Sequence, residues 1–182
     1  MTVDAVVGSS ETKLLVIRGN SGSGKSSIAR EVRQRHGRGM ALVEQDYLRR
    51  VVLRERDVDG GLAPELISQT VRLALRHGYH VVLEGIFISH RYGPMISALR
   101  RDHRGDTHVF YLDVSLEETL RRHTLRPQAS EFTAEDMRGW YRPRDLLGLP
   151  DEMVVPESSS LGETVAFIQY TAGLVAPSPA AG

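Results

Sequence analysis

The fold is decided by the stretch Leu14-Leu-Val-Ile-Arg-Gly-Asn-Ser-Gly-Ser-Gly-Lys-Ser26. It begins with an apolar run, turns through three glycines and continues into a helical pattern in which Ile28 and Val32 recur four residues apart. An apolar run without alternation is typical of a strand that helices cover on both faces. The stretch therefore predicts a buried parallel strand, a glycine-rich turn and a helix in immediate succession.

This turn satisfies the pattern G-x-x-x-x-G-K-[S/T] of a phosphate-binding loop, or P-loop, in the strand–turn–helix context that the pattern requires. Glycines let consecutive backbone N–H groups close around a phosphate, and the following helix adds the positive end of its dipole. We expect Lys25 to bridge the β- and γ-phosphates and the Ser26 hydroxyl to bind Mg²⁺. The predicted nucleotide-binding residues are Gly19, Asn20, Ser21, Gly22, Ser23, Gly24, Lys25, Ser26 and Ser27.

Outside this stretch, short apolar runs alternate with helical patterns, which favours a mainly parallel sheet. Five strands are predicted, at Lys13–Arg18, Met40–Gln45, Tyr79–Leu83, Thr107–Leu112 and Met153–Val155. Helices are predicted at Gly24–His36, Tyr47–Arg56, Pro64–His77, Ser115–Arg126, Thr133–Tyr141 and Ser160–Gly173. The predicted fold class is α/β, a three-layer α/β/α sandwich with its ligand site at the carboxyl ends of the strands.

The length of 182 residues suits one domain with a small lid. We expect a disordered start over residues 1–12, a domain over 13–174 with the lid at about 121–142, and a disordered tail over 175–182. The net charge of zero weighs against a nucleic-acid binder, and there is no cysteine for a disulfide or thiolate site. No apolar run reaches the roughly 18 residues of a membrane span, so we expect a cytoplasmic monomer or homodimer.

Lysine is rare in this chain, with Lys13 and Lys25 as its two examples. Neither is followed by Asp as in the [N/T]-K-x-D motif that reads guanine, which excludes a G-domain GTPase. An L-S-G-G-Q type of signature is missing, and the chain is short for a typical AAA+ module. The compact nucleotide-kinase-like class remains, in which an arginine-bearing lid closes over the phosphates.

Several segments together resemble one group of bacterial P-loop kinases, described loosely as kinases or AAA family ATPases. They are the loop itself, Glu44-Gln-Asp46, Val82-Leu-Glu-Gly85, Tyr111-Leu-Asp113 and Glu117-Glu-Thr-Leu-Arg-Arg-His123. The group is similar to chloramphenicol phosphotransferase, gluconate kinase, polynucleotide kinase and zeta toxin, and the resemblance covers roughly residues 13–172. It implies the strand order 2-3-1-4-5, with ATP and Mg²⁺ as cofactors.

Two acidic residues that follow predicted strands are candidates for chemistry. In the resembling kinases an Asp at the place of Asp46 takes the proton of the acceptor hydroxyl; the alternative is that Asp46 caps the next helix. Glu44 is the alternative base. We expect Glu84 to hold Mg²⁺ through water or to orient the acceptor, and the alternative is a strand-end residue that pairs with an arginine.

Three arginines are candidates for contacts with phosphate or acceptor. Arg122 and Arg126 lie four residues apart on one helical face and, as lid residues, would neutralise charge on the transferring phosphoryl group. Arg49 forms an Asp46-x-x-Arg49 pattern that resembles a D-x-x-R pattern of related kinases, where the Arg faces acceptor or phosphate. An exposed basic face is the alternative for Arg49.

These residues predict an ATP-dependent kinase that acts on a hydroxyl of a small molecule such as a nucleoside, a sugar or an antibiotic. The expected catalytic residues are Asp46, Lys25, Arg122 and Arg126; the acceptor would contact Asp46, Arg49 and Glu84, and Mg²⁺ would contact Ser26 and Glu84. Two alternatives stay open: a polynucleotide 5′-kinase or zeta-toxin-like kinase, and a regulatory module that binds ATP without catalysis.

Overall fold

The computed structural model describes residues 6–124 and 133–174. Its strands are β1 (Lys13–Gly19), β2 (Met40–Glu44), β3 (His80–Gly85), β4 (Asp106–Asp113) and β5 (Glu152–Pro156). Its α-helices are α1 (Lys25–His36), α2 (Ala63–Arg76), α3 (Ser89–Asp102), α4 (Leu116–Thr124), α5 (Ala134–Trp140) and α6 (Leu161–Thr171). A π-helical turn, Tyr47–Val52, follows β2.

The five strands form one parallel sheet in the order β2-β3-β1-β4-β5. This confirms the predicted fold class and strand order. β1 is central, and its residue Ile17 lies opposite Glu84 of β3 and Phe110 of β4. The carboxyl ends of the strands therefore meet at one edge of the sheet, where the glycine-rich turn begins.

The core lies on both faces of the sheet. Leu14 and Val16 of β1 pack with residues of α2 and α3, whereas Leu15 and Ile17 pack with residues of α1 and α6. All four side chains are fully buried. This two-sided burial explains why the β1 sequence is apolar at consecutive positions, and it holds the end of β1 rigidly in the centre of the molecule.

The sequence analysis did not predict helix α3. The pair Gly93-Pro94 suggests a break, because proline lacks the N–H group that a helix interior needs. Pro94 nevertheless lies inside α3, and Tyr92, Ile96 and Leu99 of this helix are buried in the core. Their spacing of four and three residues places them on one helical face. The free energy gained by burying this face outweighs the hydrogen bond that Pro94 cannot make.

The predicted helix Tyr47–Arg56 is also wrong beyond its first turns. Helical structure ends at Val52, and Arg54 has a left-handed backbone with φ of 53°. The chain turns here because the Glu55 carboxylate accepts hydrogen bonds from the backbone N–H groups of Leu62 (2.8 Å) and Ala63 (3.0 Å). These bonds satisfy donors at the start of α2 that would otherwise lack a partner.

The expectation of disorder does not hold for residues 6–12. Val7 is buried, its N–H donates to the carbonyl of Asp102 at 2.8 Å, and its carbonyl accepts from Arg104 at 3.0 Å. Residues 1–5, 125–132 and 175–182, which include the centre of the expected lid and the expected tail, lie outside the described residues. Within the described ranges, no helix combines the length and apolarity that crossing a membrane requires.

Candidate active site

The glycine-rich loop joins the carboxyl end of β1 to the first turn of α1. Gly22 and Gly24 have left-handed backbones, with φ of 80° and 103°. A Cβ atom on Gly22 would lie 2.9 Å from the carbonyl oxygen of Thr119 and 3.1 Å from the Cε of Met137. Helices α4 and α5 thus press on the loop from outside, so glycine is required at Gly22 by both backbone angle and space.

Lys25 and Ser26 stand at the start of α1, immediately after the loop. The Lys25 ammonium donates to the carbonyl of Asn20 at 2.8 Å, which holds it across the loop. The Ser26 hydroxyl donates to Oε1 of Glu84 at 3.1 Å. A cation able to contact phosphates and a hydroxyl–carboxylate pair able to contact a metal therefore lie side by side.

Glu84 lies in β3, one strand away from the loop. It is buried, and burial raises the pKa of its carboxyl group, while the charge of Lys25 and the hydrogen bond from Ser26 oppose this rise. The charges of Glu44 and Asp46 raise the same pKa further, so all three carboxyl groups face one region. Because Glu44 and Glu84 are register partners in β2 and β3, the sheet itself brings them together.

Asp46 follows β2 and begins the π-helical turn, but its side chain makes no hydrogen bond that caps this turn. Its exposed carboxylate instead accepts from the Arg49 guanidinium at 2.8 Å. Glu44 pairs with Arg30 at 2.7 Å. Asp46 is thus accessible and held by Arg49. The Arg49 guanidinium is itself anchored, because it also donates to the carbonyl of Glu55 at 3.2 Å.

The loop between β3 and α3 is held by two buried side chains. Gln45 Oε1 accepts from the N–H of Ile86 at 2.8 Å, and the Arg18 guanidinium donates to the carbonyl of Phe87 at 2.8 Å. Phe87 needs this support because its φ is 45°, a conformation that costs a non-glycine residue about 1–3 kcal/mol. The loop that follows β3 is therefore firmly held at the carboxyl edge of the sheet.

Of the two predicted lid arginines, the structure places Arg122 at the loop. Its guanidinium donates to the carbonyl of Ser23 at 3.0 Å and to Glu118 at 2.6 Å. Arg126 lies outside the described residues. The joint action of the pair therefore stays a prediction.

A cavity of about 350 Å³ adjoins the loop, and the sequence analysis did not predict it. Its wall combines Ser23 and Gly24 with the segment after β5, and its lining also includes Ser27, Ile28, Leu112, Val114, Arg122, Val155, Pro156, Glu157, Ser158, Ser159, Ser160, Leu161 and Thr164. A signal was available, because a segment after a strand of a parallel sheet lies on the ligand side. In the sequence Ser160 opens a predicted helix, and in the structure it is the N-cap residue of α6.

The residues are compatible with Mg²⁺. This ion prefers oxygen ligands, keeps several waters, and is held by one or two protein groups together with substrate phosphates. Ser26 and Glu84 present two oxygens 3.1 Å apart beside the loop. Within the described residues no cluster of three or more His, Cys, Asp or Glu side chains could hold a metal ion by itself.

Comparison with protein families gives a match to the family described as "AAA domain" over residues 14–143. Comparison with curated protein sequences gives no match.

Several solved structures share the fold. A gluconokinase from Sinorhizobium meliloti is 19% identical, with a TM-score of 0.62, and the match covers 91% of this chain and 94% of that one. The Mycobacterium tuberculosis APS kinase CysC in complex with AMPPNP and APS is 20% identical, with a TM-score of 0.63 and coverage of 93% and 98%. The Deinococcus radiodurans tunicamycin resistance protein is 16% identical, with a TM-score of 0.64 and coverage of 92% and 100%. At these identities the likeness establishes the fold, that of P-loop kinases.

Proposed function

This chain belongs to the AAA domain family, and on that premise we propose that it is a kinase that moves the γ-phosphoryl group of ATP to a hydroxyl of a small molecule. One observation carries the proposal: Lys25 and Ser26 of the P-loop share one edge of the sheet with the carboxyl groups of Glu84 and Asp46. An accessible carboxylate beside the loop supports transfer to a hydroxyl, because such a group can take the hydroxyl proton.

The reaction is an in-line displacement. The acceptor oxygen forms a bond to the γ-phosphorus while the bond from that phosphorus to the β–γ bridging oxygen breaks, and ADP leaves. The hydroxyl proton passes to the Asp46 carboxylate, which Arg49 orients. General-base help of this kind typically contributes about 10²–10⁴-fold to the rate. Lys25 and the N–H groups of the loop stabilise the charge that develops on the phosphates.

Ser26 and Glu84 would hold Mg²⁺ beside the loop, where the ion would supply positive charge that neutralises part of the charge of the donor phosphates. Ser26 would supply one ligand directly, and Glu84 would hold a metal-bound water or orient the acceptor. The Lys25 charge keeps the buried Glu84 carboxyl closer to its ionised form, because it opposes the effect of burial on the pKa.

The cavity beside Ser23 and Gly24 would take the nucleoside part of the donor. It lies on the α4 and β5 side of the loop, whereas Asp46 follows β2 on the other side. Donor and acceptor would therefore approach the loop from opposite directions, as transfer in line requires. Two of the similar structures are named as a gluconokinase and an APS kinase, which supports a small acceptor.

The test is a screen for ADP release with Mg-ATP and panels of nucleosides, sugars and hydroxylated antibiotics, with products identified by mass spectrometry. We expect acceptor-dependent ADP release above a slow background, with a mass increase of one phosphate on the acceptor. A DNA or RNA oligonucleotide with a 5′-hydroxyl forms a separate arm, and labelling there alone would replace the small-molecule assignment by a polynucleotide kinase. Tight ATP binding without transfer to any acceptor would indicate a regulatory module.

A further inference from the structure

A two-point hydrogen bond joins the P-loop to a segment far along the chain. The Asn20 Nδ2 donates to the carbonyl of Arg142 at 2.8 Å, and the N–H of Arg142 donates to Asn20 Oδ1 at 2.9 Å. Asn20 is buried, so its side chain is committed to this clamp rather than to a ligand. The backbone of Arg142 is thereby attached to the second residue of the loop.

The clamp is part of a rigid network. The Tyr111 hydroxyl accepts from Asn20 Nδ2 at 3.4 Å and from the N–H of Asp145 at 3.2 Å. The Asp145 carboxylate in turn pairs with the fully buried guanidinium of Arg18 at 3.2 Å. Residues 142–145 are therefore fixed to β1, which leads into the loop, and to its neighbour β4.

Lys25 shows which end of the loop this network approaches. Its ammonium rests 2.8 Å from the carbonyl oxygen of Asn20. The lysine of such a loop reaches the β- and γ-phosphates, so Asn20 marks the γ end of the cradle. Because Arg142 is clamped to Asn20, its side chain starts from the γ end as well.

Among the residues that the structure describes, two other arginines of this region, Arg122 and Arg144, are engaged with protein groups. Arg122 donates to Glu118 and to the carbonyl of Ser23, and Arg144 pairs with Asp113 at 3.4 Å. The exposed guanidinium of Arg142 makes no hydrogen bond or ion pair with any residue in the described part of the chain. An arginine held by its backbone with an uncommitted guanidinium is suited to a ligand.

We propose that Arg142 is a further catalytic residue, whose guanidinium contacts the γ-phosphoryl group during transfer. Its planar fork of donors matches the equatorial phosphoryl oxygens, and its charge opposes the charge that spreads over them. Arg142 forms no covalent bond and takes no proton. The proposal rests on the proposed function. It gives Arg142 a contact with the transferring phosphoryl group, a role that the sequence analysis predicted for Arg122 and Arg126.

The test compares the binding of Mg-ADP with that of Mg-ADP–beryllium fluoride, a mimic of the γ-phosphoryl group, by calorimetry. For Arg142→Gln we expect affinity for the beryllium fluoride complex to fall roughly 10- to 100-fold, as for loss of a charge-assisted hydrogen bond. ADP affinity should stay within about twofold. Arg142→Lys, which keeps the charge and loses the fork, should give an intermediate loss.

Arg138→Gln is the matched control. Arg138 lies four residues before Arg142, its side chain is exposed and pairs with Glu135, and its replacement removes the same charge. It should leave both affinities at the wild-type level. Asn20→Ala, which removes the clamp and keeps the backbone, should lower beryllium fluoride selectivity even where Arg142→Gln folds poorly. Equal loss of both affinities in Arg142→Gln, or no loss, overturns the proposal.

The binding measurements and the ADP-release screen together separate the two proposals. A wild-type protein that prefers ADP–beryllium fluoride through Arg142 but phosphorylates no acceptor contradicts the proposed function and keeps the phosphoryl contact. If the wild type and Arg142→Gln release ADP at the same rate with an acceptor, the proposed function stands and the Arg142 contact is refuted. A protein that binds no nucleotide refutes both.

Discussion

Replacement of Arg18 by methionine should strongly destabilise the protein. The Arg18 side chain is fully buried and donates to Glu152 at 2.8 Å, to Asp145 at 3.2 Å and to the carbonyl of Phe87 at 2.8 Å. Methionine replaces the aliphatic stem of arginine and carries no charge, so it leaves two carboxylates without their counter-ion. The Glu152 side chain is itself only 2% exposed, which makes its ionised form costly without a partner.

The structure also limits the size of the effect. Removal of one partner from a buried ion pair costs about 3–5 kcal/mol of unfolding free energy. Asp145 would still accept hydrogen bonds from the N–H (2.8 Å) and the hydroxyl (2.5 Å) of Ser89. Glu152 would still accept a hydrogen bond from the N–H of Leu147 (2.6 Å). These remaining donors favour the lower end of the range. With an m-value of about 2 kcal/mol/M in urea, a loss of about 3 kcal/mol lowers the midpoint by roughly 1.5 M.

The assay is urea unfolding followed by circular dichroism. Arg35→Met is the matched control, because it breaks an exposed pair with Glu31 and should cost less than about 1 kcal/mol. The double variant Arg18→Met/Glu152→Gln should recover part of the loss, since it removes the unpaired charge. An Arg18→Met protein within about 1 kcal/mol of the wild type, with the same m-value, would refute the idea that this buried network stabilises the site.

The remaining predictions concern the site and pH. Lys25→Ala should abolish turnover, measured as ADP release, because the ammonium that reaches the phosphates is lost. Asp46→Asn should lose turnover while calorimetry still shows ATP binding; near-normal turnover with the true acceptor would exclude Asp46 as the base. Gly22→Ala should weaken Mg-ATP binding at least tenfold, by about 1.4 kcal/mol, because its Cβ would contact the carbonyl of Thr119 at 2.9 Å; unchanged affinity would mean that the loop adapts. Burial lowers the pKa of His103, which bonds Thr12 and Thr107 at 2.9 Å each. The unfolded chain therefore binds this proton more readily, so stability is full above about pH 6.5 and falls as the pH decreases through the lowered pKa. Urea midpoints at about pH 7.5 and 5.5 should show the fall, and His103→Asn should reduce it.

Local pattern was enough for the parts of the molecule that are built from consecutive residues. The strand, loop and first helix could be predicted because their apolar runs, glycines and lysine follow one another in the chain. Helices α5 and α6 were predicted for the same reason: α5 from a short amphipathic pattern, and α6 from Ser160 and Glu163, which form a capping box within four residues. Asp46 and Glu84 could be selected because each directly follows a predicted strand.

Features that depend on contacts between residues far apart in the sequence could not be predicted from local pattern. Helix α3 continues through Pro94 because its apolar face is buried against other elements, and local propensity opposes this. The 350 Å³ cavity combines the loop with a segment after β5.

The sequence alone determined that this chain has a P-loop on a parallel sheet, because a continuous apolar run and a glycine-lysine motif specify those elements locally. Only the tertiary structure decided which groups surround the loop. The Asn20 clamp on Arg142 spans 122 residues, and the Arg18 pair with Glu152 spans 134. Such contacts follow from sheet register and from packing against the strands, and no single segment of sequence contains that information.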